Sequence, residues 1–289
     1  MDNATLGIFF GLLALLGGGI SNALVKTPSQ QEGVHKTVFY RNLFIVILLG
    51  ILVLFTLDQA HFNLSYILLT IGLGIFGYIP MYFYFKATTV GKIGVVSPVS
   101  SANTLIAVII AITFFHEKLS NHQYLAIAII LLGIGIISLN IKEFKASHIF
   151  KIESGVPYAL IAALGWGIWM ALIKIPIDNL GPYFASFIIE LTIMLVALFF
   201  VFKSGEKLAL KNRASLSYLI PISLSLMIWE IGYYMGLQVA NVSIIVALSS
   251  ASPIVVAIFG RFFYKEKLSL KQYLAIGLII LGIILISLK

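Results

Sequence analysis

The sequence predicts an all-α integral membrane protein, with ten transmembrane helices arranged as two inverted five-helix repeats. Three observations predict it. The 289-residue chain is 60% hydrophobic and 10% charged, where an ordinary soluble domain carries about 25% charged residues. Ten apolar runs, roughly 4–25, 34–57, 64–86, 92–115, 121–139, 155–174, 182–202, 216–237, 242–263 and 270–288, punctuate it. Each approaches the ~20 residues that a bilayer core asks of a helix. The third observation is that the second half of the chain repeats the first.

Residues 117–139, EKLSNHQYLAIAIILLGIGIISL, match residues 266–288, EKLSLKQYLAIGLIILGIILISL, at 16 of 23 positions with an offset of 149. The same offset lays Ser100-Ser101-Ala102 over Ser249-Ser250-Ala251, Tyr84 over Tyr233, Gly18 over Gly167 and Arg41 over Glu190. The chain divides into a first repeat, 1–140, a connecting loop, 141–154, and a second repeat, 155–289. An odd number of spans per repeat turns the second upside down. Inverted repeats are a common plan of secondary transporters, whose near-equivalent halves exchange which side is open. A duplicated static scaffold is the alternative.

The runs read as helices, because an open strand in lipid leaves its amides unpaired, and a barrel would show alternating segments of about ten residues. Run 1 lacks the basic leader of a cleaved signal peptide. Its Gly17-Gly18-Gly19, like Gly72-x-Gly74-x-x-Gly77 in run 3, permits close helix contact. Neither is a phosphate loop, since no strand precedes and no Gly-Lys-Ser/Thr follows. Pro80, Pro98 and Pro253 lie inside runs 3, 4 and 9, where each frees a carbonyl. Such a kink either borders a cavity or only serves packing. Ser120–Gln123 and Ser269–Gln272 form Ser-x-x-Gln boxes that open runs 5 and 10. Gly181-Pro182 opens run 7.

The residue inventory also excludes. Cys is 0, so disulfides, thiol nucleophiles and thiolate metal sites drop out. There is no Walker A pattern, and His116-Glu117 is followed by Ser120 where a zinc-protease motif needs its second His. No Gly-x-Ser-x-Gly occurs. The expectation is a non-enzyme with no cofactor and no metal. The five His lie in loops or at run ends, read as solvated. The net charge of +8 faces anionic lipid rather than nucleic acid, because the basic residues sit in short loops. Of the 19 Lys and Arg, three (Lys118, Lys174, Lys289) fall on the side that begins run 1, and sixteen on the other. The positive-inside rule places the loops after odd-numbered runs in the cytoplasm of a cell-membrane protein, and both termini outside.

Candidate site residues are the polar and aromatic groups inside runs. Glu190 and Glu230 are acids deep in apolar sequence, where a charge costs about 2.5–3.5 kcal/mol. Each persists there as a ligand, a proton carrier or a structural hydrogen-bonding group. Trp229 precedes Glu230, and Tyr233 and Tyr234 follow at i+3 and i+4, so acid and ring share a face. That grouping suits an amine through charge and cation–π contact. Glu190 and Arg41 either pair near the repeat axis or bind the charged end of a substrate. Trp166 and Trp169, on one face, wall a cavity or anchor at the interface. Asn22 and Asn103 carry amides able to bind both ends of a zwitterion. Tyr82 is a further cavity candidate. The serines at 100, 101, 249, 250 and 252 read first as interhelical hydrogen-bonding groups.

The ten runs, the duplication, Gly165-Trp166-Gly167, Arg41 early in run 2, and the stretch Pro253 to Glu266 together resemble the EamA-type members of the drug/metabolite transporter superfamily. The resemblance covers essentially the whole chain, with Thr104 standing where the first half would repeat Pro253. It implies a secondary carrier with a central cavity lined mainly by spans 1, 3, 4, 6, 8 and 9, often for export of amino acids or related metabolites. The expected activity is alternating-access transport of a small polar metabolite such as an amino acid or amine, with the proton as the candidate coupling ion. A facilitative carrier, a lipid translocator and a non-transporting membrane protein are the alternatives. The expected partners are the substrate, the bilayer and protons, with no nucleic acid, in a monomer or weak homodimer.

Overall fold

A computed structural model describes residues 2–91, 93–138, 151–263 and 269–287. Most of the connecting loop lies outside them, as do Lys92, Lys142, Lys145, His148, Lys265, Glu266, Lys267 and Lys289. The described residues form an all-α membrane fold. Span 1 is α1 (Asn3–Leu24) with the short α2 (Lys26–Glu32), span 2 is α3 (Val34–Phe55) and span 3 is α4 (Leu64–Val90). Span 4 is split into α5 (Ile93–Ser100) and α6 (Asn103–Thr113), and span 5 is α7 (Asn121–Ser138). The second repeat copies this order: α8 (Val156–Leu172) with α9 (Lys174–Leu180), α10 (Pro182–Lys203), α11 (Leu216–Val239), a split α12 (Val242–Ser250) and α13 (Pro253–Phe263), then α14 (Leu270–Ser287). Seven helical stretches among the described residues are long and apolar enough to cross a bilayer, and shorter apolar helices occupy runs 4, 5 and 10. Large apolar side chains such as Phe55 and Leu64 point outward, 82% and 71% exposed, as a lipid-facing surface requires.

Local signals explain the element ends. Both Ser-x-x-Gln boxes close: Ser120 N donates to Gln123 Oε1 at 2.9 Å, and Ser269 N to Gln272 Oε1 at 2.8 Å. Asn63 and Asn212 cap the starts of spans 3 and 8, accepting from Ser65 N at 3.1 Å and Ala214 N at 2.9 Å. Gly33 and Gly181 take positive φ, 92° and 87°, between spans 1 and 2 and between spans 6 and 7, a conformation that side chains resist.

Glycines show that the repeats are inverted. A β-carbon on Gly133 would lie 2.6 Å from Ile279 Cγ1 and 2.9 Å from the Ala275 carbonyl. One on Gly282 would lie 2.6 Å from Ile130 Cγ1 and 2.9 Å from the Ala126 carbonyl. Every residue in the first contact is 149 positions from its counterpart in the second. Early residues of one helix meet late residues of the other, so α7 and α14 pack antiparallel about a pseudo-two-fold axis.

The uniform offset of 149 is corrected in the first two spans of each repeat. There α3 and α10, and the glycines before them, superpose at 148. Gly167 packs on the Asn103 carbonyl and Ile106, and it is Gly19, not Gly18, that packs on the counterpart pair Ser252 and Val255. The shift is absorbed in the loop before Asn212, where 149 resumes. The counterpart of Glu190 is therefore Asn42, not Arg41.

Close approach of α1 to α11 holds the two repeats together. A β-carbon on Gly17 would sit 2.5 Å from the Trp229 backbone nitrogen, whereas one on Gly72 would meet nothing within 4 Å. Backbone cannot yield as a side chain can. Gly17→Ala is expected to destabilise the protein by about 2 kcal/mol, seen as a lowered Tm in detergent. Gly72→Ala should leave Tm unchanged or slightly raised. Equal shifts would refute this packing.

Candidate functional site

The breaks in spans 4 and 9 meet at a cavity of about 100 Å³. Spans 4 and 9 contribute Ser100, Ser101, Asn103, Ser249, Ser250 and Ser252, and α1 contributes Gly18, Ser21 and Asn22. Trp166, Trp169 and Met170 enter from α8, Met81 and Phe85 from α4, and Leu226 and Trp229 from α11. Spans 2 and 7 contribute only Arg41 and Glu190. The helix breaks create the polar lining. Ser100 Oγ donates to the Ser97 carbonyl at 2.6 Å, and its counterpart Ser249 to the Val246 carbonyl at 3.1 Å. Asn103 joins the two breaks, accepting from Ser250 Oγ at 3.1 Å while its amide donates to Met170 Sδ at 3.3 Å.

One wall is aromatic. Trp169 and Trp229 stack at 6.4 Å and 18°, and Trp229 stacks on Tyr233 at 4.9 Å and 10°. Hydrogen bonds fix the ends of this three-ring stack. Trp169 Nε1 donates to the Leu73 carbonyl at 3.0 Å, and Tyr233 OH to the Met170 carbonyl at 2.9 Å. Trp166 packs against Tyr84, with ring centroids 4.9 Å apart.

The charged end is a buried cluster. Arg41 Nη2 lies 3.5 Å from Glu190 Oε2, with both side chains at most 6% exposed. Asn42 Nδ2 donates to the same oxygen at 2.5 Å. The guanidinium also donates to Met81 Sδ at 3.2 Å and stands 5.8 Å from the Phe85 ring centre. Glu230 is a buried electrostatic neighbour of Glu190 and Arg41. Its Oε2 accepts from the Ser186 hydroxyl, and its Oε1 has no hydrogen-bond partner among the described residues. Arg41 thus pairs with Glu190, and Glu230 is a second buried carboxyl group near them.

Of the sequence candidates, Asn22, Arg41, Asn103, Trp166, Trp169, Glu190 and Trp229 come together around the cavity. Glu230 and Tyr233 do not line it: Tyr233 stacks on the outer side of the lining Trp229, and Glu230 is bonded to Ser186. Tyr82 lies elsewhere, stacked on His35 at 5.1 Å. His35 is half-buried between Tyr82 and Phe200 and hydrogen-bonded to Tyr78, not solvated as its sequence position suggested. Asn42 and Ser186 were missed. Their signal was available: Ser186 is one turn before Glu190 on the same face, and Asn42 adjoins Arg41. Breaking a buried pair leaves a charge uncompensated, so Arg41→Gln and Glu190→Gln are each expected to cost about 3 kcal/mol. The double variant should lose at least ~1 kcal/mol less than the sum. Additive losses in denaturation would dismiss the coupling.

Comparison with known proteins agrees with this architecture. The EamA-like transporter family matches residues 5–139 and 153–288. A protein of Archaeoglobus fulgidus named an uncharacterized transporter is 25% identical over 205 residues, 71% of this chain and 70% of that one. An uncharacterized protein of Methanocaldococcus jannaschii is 27% identical over 137 residues, 47% of this chain and 98% of its own length. A solved crystal structure superposes with a TM-score of 0.74 at 17% identity, covering 96% of this chain and 95% of that one, a likeness of fold. With the family matched along both halves, this multi-pass membrane protein belongs to the EamA-like transporter family.

Proposed function

We propose that this chain is a secondary active carrier, not an enzyme, and that it moves a small polar metabolite, an amino acid, amine or related compound, by alternating access. The observation that carries the reading is a polar, partly charged cavity at the junction of two inverted repeats, closed around by broken helices. Arg41 and Glu190 offer opposite charges at one end, and the Trp169–Trp229–Tyr233 stack offers ring faces. A zwitterion or amine fits both through charge pairing and cation–π contact.

Proton coupling follows from the second acid. One guanidinium balances one carboxylate, so the Arg41–Glu190–Glu230 cluster has room for one exchangeable positive charge. Buried acids of this kind serve as proton relays in transporters. The lysine-rich loops after odd-numbered spans face the cytoplasm in this reading of a cell-membrane protein.

Two measurements test the proposal. In a thermal-shift screen of the purified protein against amino acids, amines, nucleosides and sugars, a cavity ligand should raise Tm, because it binds only the folded state. Trp229→Ala and Asn22→Ala should each weaken that shift and lower proteoliposome flux of the same compound about tenfold. An imposed pH gradient should drive the flux in the wild type and not in Glu230→Gln. Flux indifferent to the gradient would remove the coupling, and absence of any ligand or flux would remove the carrier.

A further inference from the structure

We propose that Glu117 is the latch of the gate on the lysine-poor face: its carboxylate ties the half-helices α6 and α12 together, and the cavity opens to that face only when it releases α12. The proposal rests on the alternating-access reading and adds the contact that controls one of its two openings.

The placement of the half-helices leads to it. From the break at Ser101-Ala102, α6 runs to the lysine-poor face, and α12 runs back from that face to the break at Ala251-Ser252. The two therefore fill the space between the cavity and that face, one from each repeat. They are joined at both ends. At the cavity end Ser250 Oγ donates to Asn103 Oδ1 at 3.1 Å. At the outer end Glu117, in the loop after α6, accepts from Val242 N at 2.6 Å, Ser243 N at 3.1 Å and Ser243 Oγ at 2.7 Å.

Val242 and Ser243 are the first residues of α12, whose leading N–H groups have no partner within the helix. The local cap residue, Asn241, makes no side-chain capping bond. The cap therefore comes from the opposite repeat, and its negative charge meets the positive end of the helix dipole. His116, at φ 53°, turns the chain back on itself, and Glu117 N bonds the Ala111 carbonyl at 3.2 Å, which aims the carboxylate at α12. Separating α12 from α6 must break all three bonds to this carboxylate. Glu32 supplies a built-in comparison on the opposite face. Buried there, it accepts from Lys211 N, Asn212 N and Ser215 Oγ of the second repeat.

The natural chain has no cysteine, so Ser101→Cys, in the cavity, gives a single reporter for a membrane-impermeant maleimide applied to one face of oriented vesicles. On that background Glu117→Gln should raise labelling from the lysine-poor face about tenfold, the scale of lost hydrogen bonds to a charged group. Ser243→Ala, which removes one of three bonds, should raise it about threefold. Glu32→Gln should not raise it. An unchanged rate in folded Glu117→Gln overturns the latch, as does an equal rise in Glu32→Gln, which would mean general loosening. If Glu117→Gln does not fold, an unchanged rate in Ser243→Ala overturns it. Labelling needs no substrate, so the two readings fail separately: flux without the face-specific rise removes the latch and leaves the carrier, and the rise without flux in any variant removes the carrier.

Discussion

Hydrocarbon offers an unpaired backbone amide nothing to bond, so a spanning helix can break only where protein covers the break. Every part of the candidate site depends on that constraint. Spans 4 and 9 break at Ser101-Ala102 and Ala251-Ser252; Ser101, Ala251 and Ser252 are buried, and Ala102, which is exposed, keeps its N–H on the Val99 carbonyl at 3.2 Å. Tighter local bonds take over from the helical pattern: Thr104 N reaches the Ser101 carbonyl at 3.2 Å, and Ile254 N the Ala251 carbonyl at 3.0 Å. Gly167 and Gly19 then press the neighbouring helices onto these breaks, close enough that a β-carbon would lie 2.8 Å from the Asn103 carbonyl or 3.0 Å from the Ser252 carbonyl. The glycine stripes and the polar cavity are thus one device. Without the close approach of α1 and α8 the hydroxyls at the breaks would line nothing.

On this symmetric frame the chemistry is asymmetric. Ser21 and Asn22 of the first repeat occupy the places of Trp169 and Met170 in the second, so one half supplies small polar groups and the other bulk. Met81 stands where the second repeat has Glu230. Across the axis Asn42 faces its counterpart Glu190 and donates to it. A symmetric shell thus presents unlike walls to the cavity.

The sequence made the architecture legible because membrane spans and duplications leave direct marks. A run of ~20 apolar residues has few readings, and the Ser-x-x-Gln boxes and Gly181-Pro182 punctuation gave boundaries that the structure keeps. The lining was partly legible for the same reason, since a Glu, Asn or Trp inside such a run stands out against Leu and Ile. What escaped was whatever depends on register between helices. One extra residue after span 7 shifted the repeat alignment, and with it the partner of Glu190. The pattern Lys26-x-Pro28-x4-Gly33, repeated as Lys174-x-Pro176-x4-Gly181, carried the correct offset. Tyr82 looked equivalent to its aromatic neighbours, yet one helical face sends it to His35 and another sends Met81 and Phe85 to the cavity. The role of Glu117 was invisible, because its partners lie 125 and 126 residues away.

The two halves are similar enough to be read as copies. Joining two such halves in one polypeptide changes what the axis can hold. With identical halves the residue at the Asn42/Glu190 position would face itself, and a glutamate there would set acid against acid in a low-dielectric interior, where like charges are most costly. With the halves covalently joined, each position can diverge from its counterpart. Asn then donates to Glu, Arg41 balances the remaining charge, and Met81 stands in the first repeat where the second has Glu230. Duplication supplies the symmetric frame, and divergence at the axis supplies a charged cluster that identical halves could not tolerate.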